Sequence, residues 1–293
     1  MRIVVTGATG FVGRAFIRRA VAGGHVVNGL VRPGSAGLPA DPGVTTTVGT
    51  LARPPWDALG RFGPDVCVHA AWITDAGVYL DSPENRRYMD ESLDFLQGLL
   101  DRGLGHLVAL GTSAEYQASS EPLHESRSPL EPLSPYARAK HALRVALDDG
   151  VRAAGARLAW ARLFQPYGVG EPAARLCSSV IRRLADGERV TLKTPRAIRD
   201  WIHVDDVAAA LLHLVEQRVD TVVNIGSGIP RTVHDMALAI AGLLGRAELV
   251  ATSRAGADPS GSFVADPTRM RALGWTPQVE LADGLARLIA DLR

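Results

Sequence analysis

Three glycines near the N-terminus restrict the fold of this 293-residue chain more than any other feature. They lie in "VVTGATGFVG" at 4–13, after a short β-branched run and before a stretch with helical apolar spacing. Glycine at such a turn lets the backbone approach a pyrophosphate, and the N-terminus of the next helix then faces the phosphates. The spacing differs from the usual G-x-G-x-x-G, and the alternative is a tight turn without a ligand. The dinucleotide contacts predicted here are Gly7, Thr9, Gly10, Phe11, Val12 and Gly13.

The first 165 residues alternate β-branched runs with longer helical patterns, and this alternation predicts parallel βαβ units. Strands are predicted at 2–6, 25–31, 44–48, 65–71, 106–111 and 157–163. The fold class is therefore α/β, a Rossmann doubly wound parallel sheet with a smaller C-terminal α+β domain. We predict a dinucleotide-binding domain at 1–164 and a mainly substrate-binding domain at 165–293, with 200–224 packing back onto the first.

The residue that follows the second predicted strand bears on the choice of dinucleotide. NAD enzymes commonly carry a carboxylate there, about 20 residues after the glycine turn, which binds the ribose 2′-hydroxyl. Here the strand ends in Val31 and Arg32, and a guanidinium suits a 2′-phosphate. The sequence favours NADP(H), with NAD(H) as the alternative. In that case Arg32 would be a solvated loop residue.

"PLSPYARAK" at 132–140 contains a tyrosine and a lysine four residues apart. Ser134 is a natural N-cap and Pro135 suits the first helical position, so a helix is expected to begin here. Tyr136 and Lys140 then project from one helix face. A tyrosine pKa is ordinarily about 10, and a nearby ammonium together with a positive nicotinamide ring would lower it. The alternative is an exposed helix face without chemistry.

Taken together, the motifs resemble an extended short-chain dehydrogenase/reductase of the NAD-dependent epimerase/dehydratase family. The matching segments follow the family's order along nearly the whole chain: "VTGATGFVG", "HAA" (69–71), "GTSAEY", "YARAK", "RDWIHVDDVA" (199–208), "NIGSG" (224–228) and "LGWTP" (273–277). Single segments are not specific, but the set is. One departure is Tyr88, which stands nearest to a helical position where the family often has asparagine.

The resemblance implies roles for residues at the nicotinamide end. Thr112 would hydrogen-bond the reacting oxygen beside Tyr136, and Lys140 would also hold the nicotinamide ribose. The strand end at Ala70 and Ala71 would line the dinucleotide cleft, while His69 is expected to be structural.

The resemblance also implies a sugar-nucleotide substrate between the two domains. Arg199 matches a position that binds the diphosphate, unless it forms a surface pair with Asp200. Gln165 stands where the family often has asparagine, and Arg254 is a weaker phosphate contact. Ser113 is assigned to the substrate site, with a structural role in the turn as the alternative.

The residues after Thr112 discriminate among the family's reactions. In this family, chains that resemble 4,6-dehydratases have Thr-Asp-Glu at this point. Chains that resemble epimerase-reductases have a cysteine two residues after the Thr or Ser. This chain has Ser113 and Ala114, and neither chemistry is favoured. Glu115 is expected to project away from Ala114 across a strand. An NADPH-dependent 4-ketoreductase acting on a nucleoside-diphosphate 4-keto-6-deoxysugar is preferred. The alternatives are a 4-epimerase and a non-catalytic NADP-binding sensor or scaffold.

Charge, cysteine content and hydropathy bear on whether the chain could bind nucleic acid or metal, form disulfides or span a membrane. A net charge of +1 gives no field that would attract nucleic acid or an anionic membrane. The two cysteines lie far apart and predict neither a disulfide framework nor a metal site. No apolar run reaches the roughly 18 residues that span a bilayer. We expect a cytoplasmic protein, and the family resemblance implies a homodimer through helices near 85–100 and 136–149.

Overall fold

The computed structural model describes residues 1–35, 37–75, 77–252 and 261–293. Strands and helices alternate through the first part of the chain, as the sequence predicts. They are β1 (Arg2–Thr6), α1 (Phe11–Ala22), β2 (Val26–Val31), β3 (Val44–Val48), α2 (Trp56–Phe62), β4 (Val66–His69), α3 (Glu84–Leu100), β5 (His106–Thr112), α4 (Pro135–Ala153) and β6 (Arg157–Leu163).

The second part has shorter strands and a less regular order. Its elements are β7 (Gln165–Tyr167), α5 (Leu176–Ala185), β8 (Val190–Leu192), β9 (Ile198–His203), α6 (Val204–Glu216), β10 (Val222–Ile225), β11 (Pro230–Thr232), α7 (Val233–Leu244), β12 (Val250–Thr252), α8 (Thr268–Ala272) and α9 (Leu281–Leu292). Short 3₁₀ turns lie at Ser113–Glu115 and Ala247–Leu249.

Seven parallel strands form the central sheet in the order β10-β6-β5-β4-β1-β2-β3. The chain builds outward from β1 to β3 and then returns to the other side of β1 with β4. The order therefore reverses at β1. In open parallel sheets, ligands bind in the crevice at the carboxyl ends of the strands beside such a reversal.

Helices cover both faces of the sheet, and the alternation of side chains along each strand explains why. On β1, Ile3 and Val5 join the core under α1 and α6, whereas Val4 joins the core under α3 and α4. A third core, which includes Tyr167, Trp201 and residues of α5, α7 and α9, fills the C-terminal part.

β10 leaves the C-terminal part and pairs with β6 at the edge of the sheet, while α6 packs against α1. The domain boundary near 164 and the return of 200–224 to the first domain stay predictions. α6 is capped by His203, whose imidazole accepts the Asp205 N–H at 3.2 Å.

Candidate active site

The glycine turn is shaped by close contacts between backbone segments. Gly7 has φ of +65°, and a Cβ at this position would lie 2.6 Å from the carbonyl carbon of Ala70. A Cβ on Gly13 would lie 2.2 Å from the carbonyl oxygen of Gly7. The turn is closed by a 2.9 Å hydrogen bond from the Gly10 N–H to the Gly7 carbonyl. Side chains at Gly7 and Gly13 would therefore displace the strand end or the helix.

The N-terminus of α1 faces the crevice, and no side chain of its own caps the N–H groups of its first turn. Its N-cap is Gly10, which supplies no capping side chain, and the first turn carries no acidic residue. The exposed N–H groups and the positive end of the helix dipole suit a pyrophosphate. Phe11 anchors this end by packing with Ala15 against Val204 and Ala208 of α6. The residues present thus fit a dinucleotide.

The wall opposite the glycine turn is held by a buried histidine. His69 Nδ1 lies 2.8 Å from the Thr6 hydroxyl, and its Nε2 lies 3.1 Å from the Ser92 hydroxyl. The Thr6 hydroxyl in turn accepts the Ala71 N–H at 3.2 Å. Burial, with a contribution from the Lys140 charge, lowers the pKa of His69 to about 3. A neutral imidazole that fixes the end of β4 agrees with the structural role expected for it.

Arg32 lies directly after β2, on the exposed surface at the crevice edge. Its carbonyl accepts the Ser35 hydroxyl at 2.8 Å, which closes a small turn. Within the described residues the guanidinium has no hydrogen-bond or ion-pair partner. The structure therefore leaves this cation available to an anionic ligand.

The Tyr136–Lys140 pair lies on α4, as predicted. Ser134 accepts the Ala137 N–H at 3.1 Å, so the expected cap is formed. Thr112 ends β5, and its hydroxyl lies close enough to the Tyr136 phenol to oppose the rise of the Tyr136 pKa. The three predicted catalytic residues, Thr112, Tyr136 and Lys140, are brought together at the carboxyl end of β5.

Lys140 is only 2% exposed. Its Nζ donates to the Leu110 carbonyl at 2.9 Å and lies 3.8 Å from the Trp72 ring centroid, a cation–π contact. Burial lowers the pKa of Lys140 to about 7, and the negative charge of Glu115 opposes this change. Near neutral pH, both the charged and the neutral form of Lys140 are therefore populated.

Two aromatic rings pack against the Tyr136 phenol. The Tyr79 ring meets it edge-on with centroids 4.9 Å apart, and the Trp72 ring lies at 6.4 Å. Trp72 is fixed by a 2.8 Å hydrogen bond from its Nε1 to Asn85. Burial, followed by the neighbouring Tyr79, raises the pKa of Tyr136 above its ordinary value. The sequence led us to expect that Lys140 would lower the pKa of Tyr136, but the structure does not show this lowering. The surrounding protein groups keep the phenol protonated.

The segment after Thr112 differs from the predicted strand. β5 ends at Thr112, and Ser113–Glu115 form a 3₁₀ turn, so strand alternation does not govern their directions. Ser113 and Ala114 are half-buried, whereas Glu115 is fully buried. Glu115 points into the core, and the strand alternation from which its direction was predicted does not apply here.

The predicted substrate residues lie on a small sheet beside the crevice. Gln165 of β7 pairs with Trp201 of β9, and Arg199 is two residues before Trp201. Arg199 Nη1 donates to the Ile198 and Gly261 carbonyls, each at 2.7 Å, and its guanidinium lies 5.5 Å from the Phe263 ring centroid. Arg254 lies outside the described residues.

Asp200 excludes the alternative of an exposed Arg199–Asp200 pair. The Asp200 carboxylate is 1% exposed and accepts the N–H groups of Ser227, Gly228 and Ala265 at 2.7–3.0 Å. The Ser227 hydroxyl donates to it at 2.6 Å. Asp200 therefore holds the turn after β10 against β9.

Sequence reasoning missed several residues at the crevice: Trp72, Tyr79, Asn85 and Arg175. Arg175 occupies the N-cap position of α5 without a side-chain capping hydrogen bond, and its guanidinium lies 5.8 Å from the ring centroid of Phe11, which follows the glycine turn. Trp72 follows the strand end at Ala71, where ligands gather in parallel sheets, and this position was the available signal. Tyr79 and Arg175 lie in loops without a periodic pattern.

A parallel sheet with a glycine turn, facing a Tyr–Lys pair across the crevice, defines an oxidoreductase-type enzyme of the extended short-chain dehydrogenase class that uses a nicotinamide dinucleotide. The chain belongs to the NAD-dependent epimerase/dehydratase family, whose model matches residues 3–226.

Individual relatives carry several activities. Over 99% of its length the chain is 27% identical to dTDP-glucose 4,6-dehydratase of Streptomyces antibioticus, of which 91% is covered. A shorter match of 39% identity, to the putative GDP-L-fucose synthase 2 of Oryza sativa subsp. japonica, covers 35% of this chain and 30% of that protein.

The fold matches that of solved enzymes over its whole length. The structure of UDP-glucose 4-epimerase from Thermus thermophilus in complex with NAD superposes with a TM-score of 0.86, covering 100% of this chain and 99% of that one at 24% identity. Within the described residues, no helix is long and apolar enough to cross a membrane. The homodimer and the cytoplasmic location stay predictions.

Proposed function

We propose that this protein reduces a keto group on a nucleoside-diphosphate sugar with NADPH, as a 4-ketoreductase for a 4-keto-6-deoxysugar. One observation carries the proposal. Thr112, Tyr136 and Lys140 form a complete set for moving one hydride and one proton, while Ser113 and Ala114 add no further acid, base or thiol.

The reaction converts a C=O group into a CH–OH group. When bound at the glycine turn, the reduced nicotinamide would supply the hydride to the carbonyl carbon. Tyr136 donates its phenolic proton to the carbonyl oxygen, and the Thr112 hydroxyl orients that oxygen through a hydrogen bond. The raised pKa of Tyr136 suits this direction, since an acid must be protonated before it can donate. The Lys140 ammonium would hold the nicotinamide ribose.

Dehydration is disfavoured even though a 4,6-dehydratase matches nearly the whole chain. Elimination of water from a sugar needs an acid and a base in addition to the hydride path. Ser113 and Ala114 provide neither, and Glu115, the carboxylate that follows them, is turned into the core and fully buried.

The preference for NADPH rests on Arg32. A cation at the end of β2, without a protein partner among the described residues, matches a ribose 2′-phosphate better than a free 2′-hydroxyl. The glycine turn from Gly7 to Gly13 would hold the pyrophosphate. The Thermus thermophilus structure contains NAD, so the proposal of NADPH rests on this chain's own residues and not on that likeness.

The sugar-nucleotide substrate is supported by two relatives whose names include dTDP-glucose and UDP-glucose. Arg199 and Gln165 lie on adjacent strands beside the crevice, where they would contact the diphosphate, with Arg254 as a further phosphate contact. Ser113 is the half-buried neighbour of Thr112 and would face the sugar.

Replacement of Tyr136 by phenylalanine tests the proton donor. We expect Tyr136→Phe to lower the rate of NADPH oxidation about 1000-fold, within the range for a lost general acid. NADPH affinity, followed by fluorescence titration, should be unchanged because the ring and Lys140 remain. Tyr88→Phe is the control, since it removes a hydroxyl from a neighbouring ring. Unchanged turnover in Tyr136→Phe would refute the assignment.

A further inference from the structure

Glu115 is a buried carboxylate beside the proposed catalytic residues that the proposed reaction does not use. It has no exposed surface and ends the 3₁₀ turn that begins one residue after Thr112. A buried charge is costly unless other groups compensate it. Its partners therefore indicate what it does.

The Glu115 carboxylate joins three elements of the fold. Oε1 accepts the Thr112 N–H at 2.9 Å and the Trp160 Nε1–H at 3.0 Å. Oε2 accepts the Arg162 Nε–H at 3.0 Å and lies 3.9 Å from Nδ1 of His141. β5, β6 and α4 are thus tied together at one point.

The neighbouring sequence leaves room for this carboxylate. A Cβ on Gly111 would lie 2.6 Å from Oε1 of Glu115 and 2.2 Å from Nε1 of Trp160. Burial raises the pKa of Glu115, but the contacts with His141, Arg162, Thr112 and Trp160 outweigh it, and the pKa stays below its ordinary value. The group is therefore ionised at neutral pH.

The first consequence concerns Thr112. Its N–H is held by Glu115, and its hydroxyl accepts the Ala114 N–H at 3.2 Å, in a capping box. This fixes the turn from which the Thr112 hydroxyl meets Tyr136. Without the carboxylate, the buried Thr112 N–H would lose its acceptor and the turn would relax.

The second consequence is electrostatic. The charged and titratable groups around Glu115 are Arg162 on β6 and Tyr136, Lys140 and His141 on α4, and Lys140 also faces His69 on β4. His69 is neutral and Arg162 is positive. Glu115 is therefore the negative charge in this group that favours a protonated Lys140.

We propose that Glu115 is a positioning residue of the active site, which orients Thr112 toward the Tyr136 phenol and balances the charge of the buried Lys140 ammonium. The effect of Glu115 on turnover rests on the proposed reaction, whereas its effect on NADPH affinity can be measured without a sugar substrate.

The test compares Glu115→Gln with Glu125→Gln. The first keeps an oxygen that can accept the Thr112 N–H but removes the charge. The second removes the charge of another buried glutamate, whose Oε1 accepts the Asn224 N–H at 2.8 Å and which has no contact with the dyad. NADPH affinity is measured from pH 6 to 9. As the pH rises, Lys140 loses its proton and its charge, and NADPH binding should weaken.

For Glu115→Gln we expect the midpoint of this loss to lie about one pH unit lower than in the wild type, the effect of removing one nearby charge. kcat for NADPH oxidation should fall about tenfold with KM within about twofold, the loss expected for one strong buried interaction. Glu125→Gln should match the wild type in both. An unshifted midpoint in Glu115→Gln, or an equal shift in Glu125→Gln, would overturn the proposal.

Glu115→Asp covers the case in which Glu115→Gln does not fold. It keeps the charge but shortens the side chain, so the midpoint should equal that of the wild type while kcat falls about tenfold. A shifted midpoint or an unchanged kcat contradicts the proposal. If the wild type binds NADPH but turns over no keto-sugar nucleotide, the proposed reaction fails, and the binding profiles still decide the role of Glu115.

Discussion

The two sides of the crevice are built in different ways. On the dinucleotide side, backbone meets backbone: a Cβ on Gly7 would overlap the main chain at Ala70. On the substrate side, long-range side-chain contacts hold the backbone, as Asp200 does for Ser227, Gly228 and Ala265. The first design depends on the absence of side chains and the second on their presence. Substitutions on the two sides should therefore fail differently.

The largest effect is expected from Gly7→Ala. Positive φ and the overlap with Ala70 together should lower the free energy of unfolding by about 4 kcal/mol and abolish NADPH binding. Gly24→Ala is the matched control, because Gly24 also has positive φ, of +78°, but open space where a Cβ would lie. It should cost about 1 kcal/mol and leave binding intact. Urea unfolding and fluorescence titration measure both, and equal losses in the two variants would remove the close-approach argument.

Asp200→Ala should disrupt the turn after β10 on the proposed substrate side and leave the dinucleotide side of the crevice unchanged. Four hydrogen bonds to a buried carboxylate are lost, and we expect the free energy of unfolding to fall by about 3 kcal/mol. NADPH affinity at a temperature where the variant is folded should equal that of the wild type. Asp205→Ala removes an exposed carboxylate nearby and should cost less than about 1 kcal/mol. A loss of NADPH affinity in Asp200→Ala alone would show that the two sides are not independent.

Arg199→Met tests the predicted diphosphate contact. Loss of a charge-assisted contact of about 2 kcal/mol should raise KM for the sugar nucleotide about thirtyfold, with NADPH affinity unchanged. Arg196→Met, on the exposed loop before β9, is the control for a lost positive charge. Steady-state kinetics in the sugar nucleotide decide the matter, and an unchanged KM would assign Arg199 to the support of Gly261 and Phe263 instead.

The smallest effect is expected at the adenosine end. Arg32→Ala should shift the preference between NADPH and NADH by about tenfold toward NADH, the value of roughly 1.4 kcal/mol for an exposed phosphate contact. Arg19→Ala, on the exposed side of α1, should leave the preference unchanged. A wild-type preference for NADH, measured as the ratio of kcat/KM values, would contradict the assignment of Arg32.

Sequence reasoning succeeded where local pattern and backbone geometry coincide. The helix after the glycine turn, the cap at Ser134 and the Tyr136–Lys140 face all follow from local sequence pattern, because helical period and capping are short-range properties. The prediction of a doubly wound parallel sheet required only the alternation of elements and the rules for parallel connections.

The remaining features depend on contacts between distant segments. The Asp200 carboxylate finds its donors 27 to 65 residues further along the chain, and the Glu115 carboxylate meets Arg162 on the next strand of the sheet. Trp72 reaches Lys140 from a loop with no repeat. No spacing rule connects such positions, so the polar and aromatic surroundings of the dyad emerged only with the tertiary structure.

Net consumption of NADPH tests the central claim most directly. The purified wild type is mixed with a nucleoside-diphosphate 4-keto-6-deoxysugar, and NADPH absorbance is followed alongside the sugar product. One NADPH should be oxidised for each keto group reduced, and turnover should be lost in Tyr136→Phe. Interconversion of sugar epimers without net NADPH oxidation, or turnover that persists in Tyr136→Phe, would contradict it.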